Sequence, residues 1–381
     1  MNSIRILLFA CAAGVVSAGP IFSVTDLGSL GGTAAQAFGL NAAGDVVGAA
    51  SNPFGYTHAF SNFGNGMNDL TFNTGASEGT ASGINSSGRI VGTQYVNGQA
   101  VATEWVNGAA QTVAPNAAFG SAINDAGQTT GMLANGHAFV ASNGSVTDLG
   151  AFSNGNWSAG YGINNSGEVA GYGMTQSGAF HAFGWTPTTG YTDLGTLGGA
   201  NSYAMAINDN GQIVGNSQVA SGYCHAFLWS GGVMYDLGTL GQSSFAYGIN
   251  ASGDIVGYSY INGAEHAFLY EDGVMLDLNA LIDPNSGWVL TQAYAINANG
   301  QIVGSGLLNG VQHAFRLDYV PGYRDAEPAI ESLTVENSAS TPEPATWAMA
   351  LAGVALLASS RIRIRPQPGR RRLVPKRERP E

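Results

Sequence analysis

Tyr203-Ala204-Met205-Ala206-Ile207-Asn208-Asp209-Asn210-Gly211-Gln212-Ile213-Val214-Gly215 reads as two short strands joined by a tight turn. Up to Ile207, large and small side chains alternate with the two-residue period of a strand. From Asn208 to Gly211 the backbone must reverse: Asn and Asp tolerate positive φ or bond their own main chain, and Gly adopts it without steric cost. Gln212 to Gly215 then runs back as the second strand of a hairpin. Beyond a loop, His225-Ala226-Phe227-Leu228-Trp229 sets its bulky odd members on one face. A turn at Ser230-Gly231-Gly232 leads into a fourth strand, Val233 to Gly238. Four antiparallel strands thus fit into about 42 residues.

The unit recurs. The turn asparagines are Asn41, Asn85, Asn124, Asn164, Asn208, Asn250 and Asn297, spaced 44, 39, 40, 44, 42 and 47 residues apart. The abundant glycines (56 of 381 residues) show no collagen-like triplet period and fall mostly in the turns of these units. Both faces of the strands are apolar, so each sheet must be sandwiched between neighbours. Four-stranded units of this length stacked in a ring make a β-propeller, and seven of them make seven blades. The last copy lacks its Asp-Leu-Gly strand, while Phe22-Ser23-Val24-Thr25-Asp26-Leu27-Gly28 supplies one at the other end of the chain. The expectation is an all-β, seven-bladed propeller over 19–320, with the N-terminal strand completing blade seven and removing two exposed edges.

His58, His137, His181, His225, His266 and His313, all six histidines of the chain, open His-Ala-Phe triplets. The second copy has Val101-Ala102-Thr103 instead and keeps Trp105. Together with Asp-Leu-Gly-Thr-Leu-Gly at 193–198 and 236–241, this pattern over 22–318 resembles the HAF-repeat family of extracellular proteins. The resemblance implies a secreted repeat protein and no particular chemistry. Six histidines raise the question of metal binding. Equivalent positions on stacked sheets lie about 10 Å apart, too far to share a zinc ion that needs nitrogens near 2 Å. Each histidine is therefore expected to fix its own blade by bonding backbone or an Asp.

Charge is unevenly spread. Nine of the 13 basic residues lie beyond position 360, and 19–340 holds 22 acidic residues against Arg89, Arg316 and Arg324. A body this acidic repels nucleic-acid phosphates and anionic lipid. No nucleic-acid partner is expected, and the charge serves solubility first. Cys11 lies in the N-terminal segment, which leaves Cys224 alone and excludes an internal disulfide in a processed chain. Cys224 is read as a small buried hydrophobe rather than a reactive thiol.

The two ends carry addresses. Residues 1–18 read as a signal peptide: Arg5, an apolar stretch from Ile6 to Val16, and Val16-Ser17-Ala18 with cleavage after Ala18. Near the other end, Pro342-Glu343-Pro344 precedes an apolar run from Ala345 to Ser360 and a cluster at Arg361, Arg363 and Arg365. The run is at the short edge of what spans a bilayer, and its flanking arginines would stay cytoplasmic. This end resembles the PEP-CTERM sorting signal, which implies one C-terminal transmembrane helix, an exosortase as processing partner, and release or anchoring at the cell surface. The sequence continues past Arg365 to Glu381, further than that signal usually runs. Residues 321–340, rich in Glu, Pro, Ser and Thr, read as a flexible linker to the sorting segment at 341–381.

No nucleophile, base and orienting acid can be gathered from the repeat, so no catalytic residues are assigned and no enzyme is expected. No phosphate-binding loop opens a helix, and the Asn turns lack the acidic density of a calcium loop. No cofactor is therefore assigned, with calcium bridging of acidic loops left open. Departures from the repeat are the candidates for ligand contact. Trp157, in Ser153-Asn154-Gly155-Asn156-Trp157, and Trp288, in Asp283-Pro284-Asn285-Ser286-Gly287-Trp288, could stack on sugar rings or plug the core beneath a loop. The leading expectation is a surface-sorted scaffold that binds or organises matrix polysaccharide. The alternatives are a glycan-active enzyme on the same ring and a purely structural surface protein.

Overall fold

The computed structural model describes residues 21–320, an all-β ring of seven four-stranded antiparallel sheets. Blade five, which holds the Asn208 turn, comprises Gly198–Ile207, Ile213–Val219, Cys224–Ser230 and Val233–Asp236, in that order from the channel outward. The other blades repeat this order. The Asn turns join first to second strands, so all seven lie at one end of the channel. The connections between second and third strands, and between blades, lie at the other. These ends are called below the Asn face and the loop face. The signal peptide at 1–18 with Ala18, the linker at 321–340, and the sorting segment at 341–381 with its apolar run lie outside the described residues.

The His-Ala-Phe strand builds the core between blades. Its phenylalanines Phe60, Phe139, Phe183, Phe227, Phe268 and Phe315 are each fully buried, as are the alanines that precede them. Removing each ring from water contributes about 1.5–3 kcal/mol. Blade two has Thr103 where the others have Phe. Two residues on, and so on the same face of the strand, Trp105 is completely buried and donates its indole N–H to the Leu70 carbonyl at 3.0 Å. The bulk lost at one position is carried by the next one on that face.

Every inner strand carries a bulge one turn before its Asn, seen as a register slip such as Ala204/Ala206 in blade five or Ala293/Ala295 in blade seven. The bulge brings the inner strand's carbonyl over the glycine that ends the second strand's Ile-Val-Gly. A Cβ on Gly215 would sit 1.9 Å from the Tyr203 carbonyl oxygen, and Gly92 and Gly257 face the same clash. That glycine is therefore a requirement of close backbone approach, not of a turn.

Closure occurs as the sequence pattern predicts. Phe22–Asp26 pairs antiparallel with Val311–Tyr319 as the fourth and outermost strand of blade seven, Val24 opposite Leu317. Asp26 on this strand accepts from His313 at 3.0 Å. Phe22, only 1% exposed, packs its ring 4.4 Å from that of Tyr319. Arg316 of blade seven donates to the Gly44 carbonyl of blade one at 3.2 Å, a side-chain clasp across the same seam.

A second ring closes on the Asn face. Asn208 accepts backbone N–H bonds from Asn210 and Gln212 with its side-chain oxygen, both at 3.0 Å, which fixes the turn. Its amide nitrogen donates to the carbonyl of Asn250 in the next blade at 3.0 Å. Each of the other six asparagines makes the same bond to its successor, and Asn297 returns to the Asn41 carbonyl at 3.0 Å. All seven are 3–6% exposed. One residue type thus shapes each hairpin and links it to the next.

Candidate functional site in the channel and on the loop face

The residue before each Asn is Ile or Leu, and these seven side chains form an apolar collar from Leu40 through Ile163 to Ile296. The collar separates two cavities. On the Asn face lies a polar one of about 280 Å³, lined by the turn residues. Its carboxylates are already engaged: Asp125 accepts from the Ser86 N–H at 2.8 Å and Asp209 from the Asn165 N–H at 2.9 Å. Toward the loop face lies a larger cavity of about 490 Å³.

The bulge decides what lines that larger cavity, because it turns one extra side chain per blade into the channel. These residues are Phe38, Ser82, Ser121, Tyr161, Met205, Tyr247 and Tyr294. The wall is lopsided, with small serines from blades two and three on one side and rings from blades four, six, seven and one on the other. The tyrosines do not stand alone. Tyr294 donates to Gln292, Gln292 donates to Glu265 at 2.8 Å, and Tyr260 donates to the other Glu265 oxygen at 3.1 Å. Gln36 approaches the Tyr294 hydroxyl at 3.5 Å from blade one. Phe245, Tyr258 and Tyr247 stack in sequence at 4.8 and 5.8 Å, and Tyr247 reaches Tyr294 at 5.3 Å. Burial raises the Tyr258 and Tyr247 hydroxyls above the usual phenol range and pushes Tyr294 up to about 12. At neutral pH these groups are therefore uncharged O–H donors and acceptors.

A second aromatic group lies between blades four and five. Trp157 meets Tyr172 at 5.3 Å and Phe180 edge-on at 5.8 Å, and Tyr203 from blade five meets Tyr172 at 4.8 Å. With Asn156 and Met174 they line a trough of about 570 Å³. Tyr172 shares a 2.9 Å bond with the channel residue Tyr161, and burial followed by this bond raises its hydroxyl.

The two tryptophans singled out in the sequence have different surroundings. Trp157 precedes the inner strand of blade four, is half-buried, and forms a wall of the trough. Trp288 begins the inner strand of blade seven, also half-buried, and sets its ring edge-on to Phe315 at 6.0 Å and to His313 at 6.2 Å. It packs against the core beneath the 283–287 loop. The structure does not bring the two together. The channel tyrosines and Glu265 were not singled out in the sequence. The signal was present, however: the residue three before each Asn is aromatic in four repeats and serine in two.

All six histidines bond the Asp of their own blade's outer strand. Nδ1-to-carboxylate distances run from 2.7 Å at His58–Asp69 to 3.0 Å at His137–Asp148 and His313–Asp26. In blades one, three, four, five, six and seven, that Asp also receives a backbone N–H two residues on, such as Gly238 N–H at 2.8 Å on Asp236. The pair thus pins the start of the third strand to the end of the fourth. Blade two lacks both members, with Val101 and Thr112 at the two positions. Cys224 is half-buried rather than buried, because it opens its strand at the loop-face end of the blade, and the burial it has pushes its thiol up, away from the reactive thiolate. Among the described residues, no three His, Cys, Asp or Glu side chains gather as a metal site.

Residues 340–365 match the PEP-CTERM protein-sorting motif. The motif implies processing by an exosortase and marks a secreted protein sorted to the cell surface. A search of curated protein sequences finds no match to the chain. Among solved structures, the chain is similar to a puromycin-hydrolysing peptidase of Mycobacterium tuberculosis, with a TM-score of 0.54 at 13% identity over 75% of this chain and 51% of the other. It thus spans about half the length of that enzyme. It is also similar to YCF48 bound to D1 peptide, with a TM-score of 0.51 at 9% identity over 81% of this chain and all of the other. At such identities the likeness concerns the fold alone.

Proposed function

We propose that this surface-sorted propeller binds matrix polysaccharide through its loop face, as a scaffold and not as an enzyme. The observation that carries the reading is the concentration of rings and neutral hydroxyl and amide groups along the channel and the trough. A pyranose presents an apolar C–H face and a rim of hydroxyls. The first complements the negative face of an aromatic ring, and the second needs uncharged donors and acceptors. Ring-to-ring packing and the Tyr294–Gln292–Glu265–Tyr260 bonds hold these rings in place, so little ordering is needed on binding. Glycoside hydrolysis usually uses two facing carboxylates. The side chains bonded to Glu265 are Tyr260 and Gln292, which fits recognition better than cleavage. The recurrent His-Ala-Phe strands support placing the chain with HAF-repeat extracellular proteins. The apolar run at 345–360 would hold it in the membrane until the exosortase acts.

A glycan array probed with the full-length protein tests the reading. Binding to extracellular polysaccharide fragments, weakened in Trp157→Ala, is expected, and Trp288→Ala shows whether the second tryptophan contributes by contact. An array silent at every salt concentration would overturn the proposal.

A further inference from the structure

The trough beside blade four is continuous with the channel. A third cavity of about 330 Å³ shares Ser82, Ser121 and Tyr161 with the channel and Trp157 with the trough. Trp157 therefore stands between two hollows, with Phe119 and Met132 on one side and Tyr172, Phe180 and Tyr203 on the other. Its position is fixed by main-chain bonds. Its carbonyl accepts from Met174 N–H at 3.1 Å, and the next residue, Ser158, donates its N–H to the Gly136 carbonyl at 2.9 Å. The indole also lies so close to Gly136 that a Cβ there would come within 3.0 Å of it. Three hollows in a row, divided by a fixed indole, suit an extended polymer better than a single small molecule.

The charge around this path selects among polymers. Residues 21–320 contain 18 carboxylates and two arginines. Neither arginine is available to the path. Arg89 pairs with Glu104, and Arg316 pairs with Asp318 at 3.0 Å and reaches the Gly44 carbonyl on the Asn face. The side chains lining the trough and the third hollow are uncharged. A polyuronate or sulfated chain would enter against the field of the whole body with no guanidinium or ammonium to receive it. Resting on the polysaccharide-binding reading above, we infer that this path, from the channel over Trp157 to Tyr203, binds an uncharged polysaccharide. One sugar would stack in the trough and the chain would continue toward Tyr161.

The test measures affinity electrophoresis of the full-length protein in gels containing a neutral β-glucan, a neutral α-glucan or alginate, at low salt and at about 0.5 M salt. Retardation by at least one neutral glucan is expected, with little dependence on salt because no counterions are released. Trp157→Ala should weaken it about tenfold or more. Tyr203→Ala, on the opposite wall and in another blade, should weaken it severalfold, and it keeps the test open if the first variant folds poorly. Tyr235→Ala, exposed on the outer strand of blade five, should leave it unchanged. Alginate retarding the protein as strongly as any neutral glucan would overturn the inference about charge while leaving polysaccharide binding intact. Neutral glucan binding untouched in both Trp157→Ala and Tyr203→Ala would overturn the location. Retardation by none of the three would count against both this inference and the reading beneath it.

Discussion

Asparagine does two jobs at once at the turn, and this is why no other residue stands there in any of the seven copies. Its oxygen must accept two backbone N–H groups while its nitrogen donates to the neighbouring blade. Asp has the acceptors without the donor, and Ser is too short to reach across. Replacing Asn208 with Ala leaves the N–H groups of Asn210 and Gln212 and the carbonyl of Asn250 without these bonds at a nearly buried site. The expected loss is about 1–3 kcal/mol, read as a lower urea midpoint at unchanged slope. An unshifted midpoint would mean that water replaces the amide at no cost. The Asp148 carboxyl gives a pH signature. Burial raises the Asp148 carboxyl, but the Gly150 N–H, Asn135 and His137 outweigh it, and the group sits below its ordinary value of 3.8. A depressed carboxyl stabilises the fold above its unfolded value, and that contribution is lost as pH falls through the folded one. Asp148 is 43% exposed, so the effect is held below about 1 kcal/mol by solvent screening. The melting temperature of Asp148→Asn should therefore fall less steeply than that of the parent below about pH 4. Parallel curves would sink the idea.

At the level of elements, the strand with most leverage is the one furthest from its partners in sequence. Phe22–Asp26 contributes one of the twenty-eight strands among the described residues, yet its absence would leave Val311–Tyr319 as an open edge beside an uncovered apolar seam. Unpaired edges recruit other chains. Deleting 19–26 should turn a monodisperse species into aggregates by light scattering and lower the melting temperature by several degrees. A deletion variant that stays monomeric with the parent's melting temperature would show that blade seven holds with three strands. The inner strands show the opposite economy. Their bulge weakens pairing locally but aims a side chain into the channel, and this is how a repeat built for stability acquires an individual lining.

For the whole molecule, the ring and the sorting motif make separate demands. The propeller must survive outside the cell with one cysteine among its described residues, so packing and the two closures carry the stability that disulfides supply in smaller secreted domains. The motif at 340–365 implies a processing step, and processing changes mass. In a host carrying the exosortase, the parent chain should be recovered shortened at its C-terminal side by intact-mass measurement. A Glu343→Ala variant should accumulate uncut in the membrane fraction. Identical masses for both would show that the Pro-Glu-Pro core does not direct cleavage here.

The repeat length, the count of seven, the Asn turns and the N-terminal strand as the last blade's missing piece were all legible in the sequence. Each depends on spacing along the chain: a hairpin needs its turn residues at fixed offsets, and a closing strand has to match what the last repeat lacks. The sequence likewise holds the sorting motif, which is read as a linear signal. What each Asn nitrogen grips, which Asp each His selects, and why Gly215 must be Gly were decided by the tertiary structure. They depend on where neighbouring backbones lie once the sheets are stacked. The candidate site is a product of that stacking too. Trp157 stands just before the inner strand of blade four, Tyr161 on that strand and Tyr203 on the inner strand of blade five, and only the stacking of the two blades turns them into one continuous surface.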